Sequence, residues 1–369
     1  MTTTIPLLDL KRERAAIAAE VSRCWSDTLA EMHLLKGPNT TAFEQEIAAY
    51  IGVPHAVGAS SGTDALALGL WALGVGAGTE VILHANGFCA DVEAIRMTGA
   101  QPVLVDVEDN GLGPDLAQVE RAITPRTRAL MVVHMYGSPL QLEPVLELAR
   151  AHNLAVVEDA SHAHGAARDG RKVGSFGAVG CFSAGVVKNL GAYGDAGFIT
   201  TADAELAKRV RLFQTHGQER KSHHVVYGGN YRLDEIQAAV LRIKLRSLEA
   251  RNQRRREIAA GYSRHFAPLG VGVPLEGPGE VHVYHQYVIR TPRRDALAAH
   301  LKAAGIETGI HYPEPLHRQV AWLRDYGEGP ALARAERLAQ EILSLPVFPD
   351  LSDAEVQRVI DAVAGFFRR

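Results

Sequence analysis

Cysteine is scarce in this chain of 369 residues: Cys24, Cys89 and Cys181 lie far apart, and none belongs to a Cys-x-x-Cys pair. This scarcity argues against a disulfide framework or a structural zinc site, and it favours a reducing compartment. Long apolar runs are also missing, because the longest, residues 129–135, is far too short to span a bilayer. Residues 1–17 have no apolar core of signal-peptide length. We therefore expect a cytoplasmic protein that does not act in a membrane.

Charge of one sign is not in excess, since 39 Lys and Arg face 42 Asp and Glu, for a formal net charge of -3. This balance argues against nucleic acid as a partner. The 16 His show no set of three ligands at metal spacing with a carboxylate, so no metal site is predicted. Hydrophobic residues make up 47% of the chain, which excludes global disorder, and the length favours two domains.

Short β-branched runs alternate with helical patterns through the first two-thirds of the chain. This alternation predicts an α/β fold with a large, mostly parallel central sheet sandwiched by helices. The helices are expected over 64–73, 91–98 and 140–151. The predicted strands are Ala56–Ala59, Glu80–Leu83, Pro102–Asp106, Ala129–His134, Leu154–Asp159 and Gly197–Thr200.

The pattern changes near residue 233, where a charge-rich helical stretch over 233–262 predicts a connecting helix. A smaller C-terminal α+β unit follows. Its predicted elements are a strand over 281–290 and helices over 296–304, 331–343 and 352–367. We place the domain boundary near residue 245, with a large domain over 1–245, including the N-terminal segment, and a small domain over 246–369.

The segment Ser60–Asp64 joins a predicted strand to a predicted helix. Backbone N–H groups at a helix N-terminus, together with small hydroxyls, can bind a phosphate. Simple N-capping by Ser or Thr explains the same residues equally well. Gly58–Gly62 also fits the G-x-S-x-G motif of hydrolases, with Ser60 as nucleophile, but its oxyanion-hole partner is missing.

Two further residues, Asp159 and Lys188, are candidates for a catalytic role. Asp159 ends an apolar run, where it either faces a cleft or caps the next turn. Lys188 lies between an apolar segment and a Gly-rich turn, with no other charge over 175–187. Desolvation lowers the pKa of such a lysine and suits it to imine formation, although a lysine that extends its amine to solvent is commoner. A phosphate-binding turn, a strand-end Asp and a later Lys occur in this order in pyridoxal phosphate enzymes of fold type I.

The chain resembles, nearly end to end, the nucleotide-sugar aminotransferases of the DegT–StrS family. The matching strings include IPLLDL at 5–10, SGTDAL at 61–66, GAQPVLVD at 99–106, EDASHAHGA at 158–166, GSFG at 174–177, KNLGAYGDAG at 188–197, GNYRL at 229–233, HYP at 311–313 and LPVFP at 345–349. Together they are far more specific than any one motif. The resemblance implies fold type I, pyridoxal phosphate as cofactor, and pyridoxamine phosphate as its second form.

The resemblance assigns the cofactor contacts. Lys188 would hold pyridoxal phosphate as a Schiff base and shuttle the proton. Asp159 would pair with the protonated pyridine nitrogen and keep the ring an electron sink. Gly62 and Thr63 would donate to the phosphate, and Ser183 would add a hydroxyl.

Other roles follow from the same resemblance. Phe88 takes the position of the aromatic ring that stacks on the cofactor, and His162 lies beside its phenolic oxygen, where many members have Gln. Asn230 would reach the phosphate of the neighbouring subunit in a homodimer with shared active sites. His311 and Tyr312 would bind substrate.

The implied reaction moves an amino group from an amino acid, expected to be glutamate, to a keto group of a nucleotide-linked deoxy sugar, expected to carry dTDP. Such reactions serve the biosynthesis of deoxyamino sugars for antibiotics or polysaccharides. The string SHAHGA at 161–166 is typical of aminocyclitol-forming members, so a keto-inositol is an alternative substrate. A pyridoxal-phosphate-binding regulatory protein without turnover is a further alternative.

Overall fold

The computed structural model describes residues 4–368, and helices cover much of that length. Within these residues, no helix is long and apolar enough to cross a membrane. The α-helices are α1 Leu10–Glu31, α2 Pro38–Ile51, α3 Gly62–Ala72, α4 Cys89–Met97, α5 Leu116–Ala122, α6 Glu143–Ala151, α7 Ala204–Gln214, α8 Glu235–Leu245, α9 Leu248–Phe266, α10 Arg294–Ala303, α11 Val320–Tyr326, α12 Ala333–Glu341 and α13 Asp353–Phe367.

The strands form one large sheet and three small ones. The large sheet holds β1 His55–Ala59, β2 Glu80–His84, β3 Gln101–Val105, β4 Thr127–Val133, β5 Ala155–Asp159, β8 Val179–Ser183 and β9 Gly197–Thr201. The short strands are β6 Ala167–Arg168, β7 Arg171–Lys172, β10 Gln218–Arg220, β11 His223–His224, β12 Glu280–Val281, β13 Tyr287–Arg290 and β14 Ile342–Leu345.

The large sheet has the order β1-β9-β8-β5-β4-β2-β3. β9 pairs antiparallel with both of its neighbours, and the other pairs are parallel. Successive strand residues enter different cores, since Met131 packs with α3 and α4 while Leu130 and Val132 pack with α5 and α6. The predicted fold class, a mostly parallel sheet between helices, is confirmed.

One strand of this sheet, β8, is missing from the prediction. Its sequence, Val-Gly-Cys-Phe-Ser, has little of the β-branched alternation that indicates a strand. Gly180 explains the weak signal, because a Cβ there would lie 2.4 Å from the Cα of Gly174. Close backbone approach therefore requires glycine in the middle of a buried strand.

Two predicted elements of the C-terminal part are divided in the structure. The helix expected over 233–262 breaks at Arg246 and Ser247 into α8 and α9. The strand expected over 281–290 is two strands, because the N–H groups of Val283 and Gln286 donate to the backbone at 136–137. β12 therefore pairs with β6, and β13 pairs with β14.

The N-terminal segment packs on the C-terminal part of the chain. The N–H of Ile5 donates to the carbonyl of Gly305, and the Ile5 side chain is buried among residues of α9, α10 and α13. The boundary near residue 245 coincides with the end of α8. We keep this boundary as a proposal, with the segment around Ile5 associated with the small unit.

A buried ion pair joins α1 to α8. The Nζ of Lys244, whose side chain is 4% exposed, lies 2.7 Å from Oε2 of Glu13. Burial lowers the pKa of Lys244, and the charge and hydrogen bond of Glu13 oppose this effect. Removing the carboxylate would leave a buried ammonium without its partner, which is a costly arrangement.

We expect Glu13→Ala to lower the free energy of unfolding by ~3 kcal/mol, because it leaves Lys244 buried and unpaired. Chemical denaturation measures the change. The double variant Glu13→Ala with Lys244→Met should recover most of it, since the charge is removed with its partner. Glu20→Ala is the matched control, because the pair of Glu20 with Arg246 is exposed and should contribute under ~1 kcal/mol. Equal losses in the two single variants would contradict this account.

Candidate active site

The strand-end residues singled out in the sequence meet at one edge of the large sheet. β5 and β8 are adjacent and parallel, and β1 lies beyond the antiparallel β9. The carboxyl ends of β1, β5 and β8 therefore face the same edge, where ligands of such sheets bind. Asp159 ends β5, Ser183 ends β8, and α3 begins just after β1.

The turn after β1 forms an anion-binding cradle. α3 begins at Gly62, and Ser61 caps it by accepting the N–H of Asp64 at 3.1 Å. The first N–H groups of a helix, here those of Gly62 and Thr63, have no acceptor within the helix and suit a phosphate. A Cβ on Gly62 would lie 2.5 Å from the Cβ of Ser183, so only glycine lets Ser183 approach this turn.

Asp159 is held at the end of β5 and is 5% exposed. The N–H of Ser161 donates to its Oδ1 at 2.9 Å, and the hydroxyl of Ser161 accepts the N–H of Ser183 at 3.0 Å. Ser161 therefore links the acid to the cradle. This serine was missed in the sequence, where it is one polar residue in a turn.

The neighbouring acid, Glu158, serves the fold. It is fully buried on the opposite side of the strand and accepts hydrogen bonds from His134 and from the N–H groups of Gly174, Phe176 and Gly177, at 2.7–3.0 Å. Burial raises the pKa of Glu158, but these hydrogen bonds outweigh it and hold the pKa below its usual range. Glu158 thus fixes the loop before β8 and leaves Asp159 to face the site.

Lys188 is partly buried. Burial lowers the pKa of Lys188, and the charge of Asp159 is the larger of the effects that oppose it. The direction agrees with the shift expected from its uncharged sequence surroundings. An amine with a lowered pKa is more often unprotonated near neutral pH, which is the form that attacks a carbonyl.

Four histidine rings lie within electrostatic range of Lys188: His162, His164, His285 and His311. His162 lies with its ring 4.5 Å from that of His285, whose Nδ1 is 3.1 Å from Oδ1 of Asn189. Burial first, and then the charge of Lys188, lowers the pKa of His162, of His164 to about 3 and of His311 to about 4. For His285, burial lowers the pKa most, followed by His162 and then by Lys188. These rings are therefore neutral. His285 was not predicted, because in the sequence it lies in a strand-like pattern.

Phe88 and Tyr312 lie together, with ring centroids 5.4 Å apart, and Phe88 is half exposed. Nδ1 of His311 is 2.7 Å from the hydroxyl of Ser344, and the hydroxyl of Tyr136 donates to the carbonyl of His311 at 2.8 Å. These contacts hold the His311–Tyr312 segment beside the aromatic ring predicted to stack on the cofactor.

Asn230 is adjacent in sequence to Tyr231, whose carbonyl accepts the N–H of Ser60 in the turn after β1. Asn230 itself is exposed, and its Oδ1 accepts a hydrogen bond from Nε of Arg232 at 2.9 Å. The loop before it is also exposed, and Tyr227 is entirely so. A role of Asn230 in its own subunit's site gains no support from this placement, and a role in a neighbour's site stays a prediction.

The residues that do meet suit pyridoxal phosphate. They provide N–H groups for the phosphate, an amine for the aldehyde, a carboxylate for the ring nitrogen and an aromatic face. His162 Nδ1 lies buried with no hydrogen-bond partner among residues 4–368, so a polar ligand group can satisfy it. Within that same range, no group of His, Cys, Asp and Glu could hold a metal ion.

Comparison with known proteins gives consistent matches. Residues 15–364 match the DegT/DnrJ/EryC1/StrS aminotransferase family. The chain is 44% identical over 369 residues to the dTDP-3-amino-3,4,6-trideoxy-alpha-D-glucose transaminase of Streptomyces venezuelae, covering 100% of this chain and 97% of that protein. The crystal structure of S. venezuelae DesV in complex with a ketimine intermediate superposes with a TM-score of 0.97, at 44% identity and full coverage of both chains. The structure of Bacillus subtilis NtdA with bound cofactor PMP has a TM-score of 0.94 at 28% identity, covering 100% of this chain and 86% of that one.

We expect Gly62→Ala to weaken pyridoxal phosphate binding about tenfold, because the new methyl group pushes Ser183 from the cradle and charged hydrogen bonds are lost. Fluorescence titration of the cofactor-free protein measures the dissociation constant. Gly261→Ala is the matched control, since a Cβ on this helical glycine meets nothing within 4 Å. Wild-type affinity in the Gly62 variant would place the phosphate elsewhere.

Proposed function

This chain belongs to the DegT/DnrJ/EryC1/StrS aminotransferase family and is a pyridoxal-phosphate-dependent enzyme, and we propose that it moves an amino group from glutamate to a keto group of a dTDP-linked deoxy sugar. One observation supports the reaction type: the partly buried Lys188 lies within electrostatic range of the buried Asp159, which Ser161 links to the anion cradle. The named activity of the S. venezuelae relative supports the substrate class.

Bound pyridoxal phosphate supplies an electron sink for the charge that develops at the carbon next to the transferred nitrogen. Asp159 keeps the ring nitrogen protonated and so sustains that sink. Lys188 holds the cofactor between turnovers, and when released it takes a proton from the α-carbon of the amino donor. The same amine returns a proton to the sugar carbon in the second half-reaction, so one base serves both.

The remaining predicted residues bind and orient. Gly62, Thr63 and Ser183 would hold the phosphate, and Phe88 would cover one face of the ring. The neutral His162 would contact the phenolic oxygen. We propose His311 and Tyr312 as substrate contacts, because the Tyr312 ring packs beside the half-exposed Phe88 and the His311 ring lies next to that of Tyr312. The three unpaired cysteines support a reducing compartment such as the cytoplasm.

The decisive test loads the enzyme with pyridoxamine phosphate and adds candidate ketones. A dTDP-linked keto sugar should restore the absorbance of the aldehyde form. Added glutamate should then remove that absorbance by returning the cofactor to pyridoxamine phosphate. UDP-linked keto sugars and a free keto-inositol are the comparison arms. Lys188→Ala is the control, and it should lose at least ~10³-fold in rate, because no other group can move the proton. Faster restoration by the keto-inositol would overturn the sugar assignment, and no response to any amino donor would overturn the enzyme.

We also propose a homodimer with shared active sites. An apolar groove of about 360 Å³ lies between α1 and the segment 186–193, which contains Lys188. Its lining includes Trp25, Val186 and Tyr193. Val186 and Val187, next to Lys188, are 37% and 51% exposed, and contiguous exposed apolar surface can mark an interface. A second copy would cover this surface, and it could bring its exposed Asn230 loop to the cradle.

Mixing two inactive variants tests the shared site. Lys188→Ala and Asn230→Ala subunits should form heterodimers in which one site carries both lesions and the other none, so up to half of the activity per heterodimer returns. Subunits with different tags verify the mixture. Arg232→Ala is the matched control, because it removes the hydrogen bond to Asn230 but keeps the amide. If Asn230 only turns the chain, its replacement costs about 1 kcal/mol of stability and leaves cofactor affinity unchanged.

A further inference from the structure

A second carboxyl group, Asp91, lies unpaired in the interior beside the proposed catalytic acid. Asp91 belongs to the first turn of α4, three positions after Phe88, and its side chain is fully buried. No N–H or O–H donor among residues 4–368 makes a hydrogen bond of regular geometry with either of its oxygens. A buried carboxyl group without a donor is costly and calls for a functional explanation.

Residues from several separate segments of the chain lie around Asp91. Asp159 on β5 lies within side-chain hydrogen-bond range, and Lys188 is close enough to act on Asp91 by charge. Tyr312 and Cys181 of β8 also lie within electrostatic range of Asp91. Gly87 leaves room for Asp91, since a Cβ there would lie 2.7 Å from its Oδ2.

Two neighbouring carboxyl groups cannot hydrogen bond to each other unless one of them holds a proton. Asp159 already accepts the N–H of Ser161 at its Oδ1, whereas neither oxygen of Asp91 has such a donor among residues 4–368. Burial, followed by the charge and hydrogen bond of Asp159, raises the pKa of Asp91 well above its usual value. The proton therefore belongs on Asp91.

We propose that Asp91 is a protonated positioning residue whose carboxyl group donates a hydrogen bond to the carboxylate of Asp159 and orients it toward the pyridine nitrogen of the cofactor. This rests on the proposed function for the role of Asp159. With Ser161 on one side and Asp91 on the other, Asp159 is held between two donors. Two such donors would restrict the rotation of the Asp159 carboxylate.

Helix capping is the ordinary explanation for an acid in the first turn, and the N–H of Phe88, which lowers the pKa of Asp91, is near enough to contribute. A cap and a positioning donor differ in what they require. A cap needs an acceptor and no proton, whereas a donor to Asp159 needs a proton or an amide N–H.

Infrared spectra of the full chain, recorded with and without added pyridoxal phosphate, locate the proton. With carbonyl-labelled aspartate, the C=O band of a protonated carboxyl group should be present in the wild type, absent in Asp91→Asn and retained in Asp159→Asn. Any other pattern overturns the proposal. The band is read without cofactor as well, so a failure of the proposed function would leave this measurement intact.

Kinetics of the amino-donor half-reaction test the positioning role. Asp91→Ala should lower the limiting rate constant about tenfold, with the donor concentration at half-saturation unchanged, because the lost hydrogen bond acts through Asp159. Asp91→Asn should recover most of the rate, since its amide can donate in the same place. Val92→Ala, one residue along α4, is the control for packing loss and should retain the rate and the infrared band.

Two outcomes would overturn the positioning role. A full rate in Asp91→Ala with a lowered unfolding temperature would make Asp91 only a cap. A loss in Asp91→Asn as large as in Asp91→Ala would mean that the negative charge itself acts. Should Asp91→Ala fail to fold, Asp91→Asn and the infrared pattern still decide.

Discussion

Desolvation of an amine opposite a carboxylate is the constraint on which the rest of this site depends. Burial lowers the pKa of Lys188, and the acid across from it partly restores that pKa. Such a pair tolerates no further uncompensated charge nearby. Glu158, next to Asp159 in sequence, meets this condition by facing away and accepting four hydrogen bonds. Because successive side chains of a strand point to opposite faces, Glu158 supports the fold while its neighbour Asp159 faces the site.

The histidines follow the same constraint. His162, His285 and His311 occupy the space around Lys188 with rings that burial keeps neutral. A cationic ring at any of these positions would compete with the amine for Asp159 and would lower the pKa of Lys188 further. Neutral rings give polar contacts to a ligand without adding charge, which suits a site whose ligand brings its own phosphate.

The sequence was most informative where local patterns decide structure. Periodicity located six strands of the large sheet, and the motif strings led to the family that the comparisons confirm. The break between α8 and α9 escaped prediction, because the helical pattern continues through Ser247, whose hydroxyl and N–H both bind the carbonyl of Lys244. Asp91 also escaped, since an acid in a first helical turn looks ordinary until the fold places it beside Asp159.

The missed strand and the site both depend on close backbone approach. The end of β8 lies close to the turn after β1, where Gly62 meets Ser183, and Gly180 within β8 meets Gly174 of the preceding loop. Only small residues fit where the backbones come this close, and glycine in particular has a low preference for β-strands. The same closeness lets Ser183 reach the cradle and Ser161 join it to Asp159. Local sequence preference is therefore lowest at the edge where chemistry is assembled, as expected where function and local folding rules conflict.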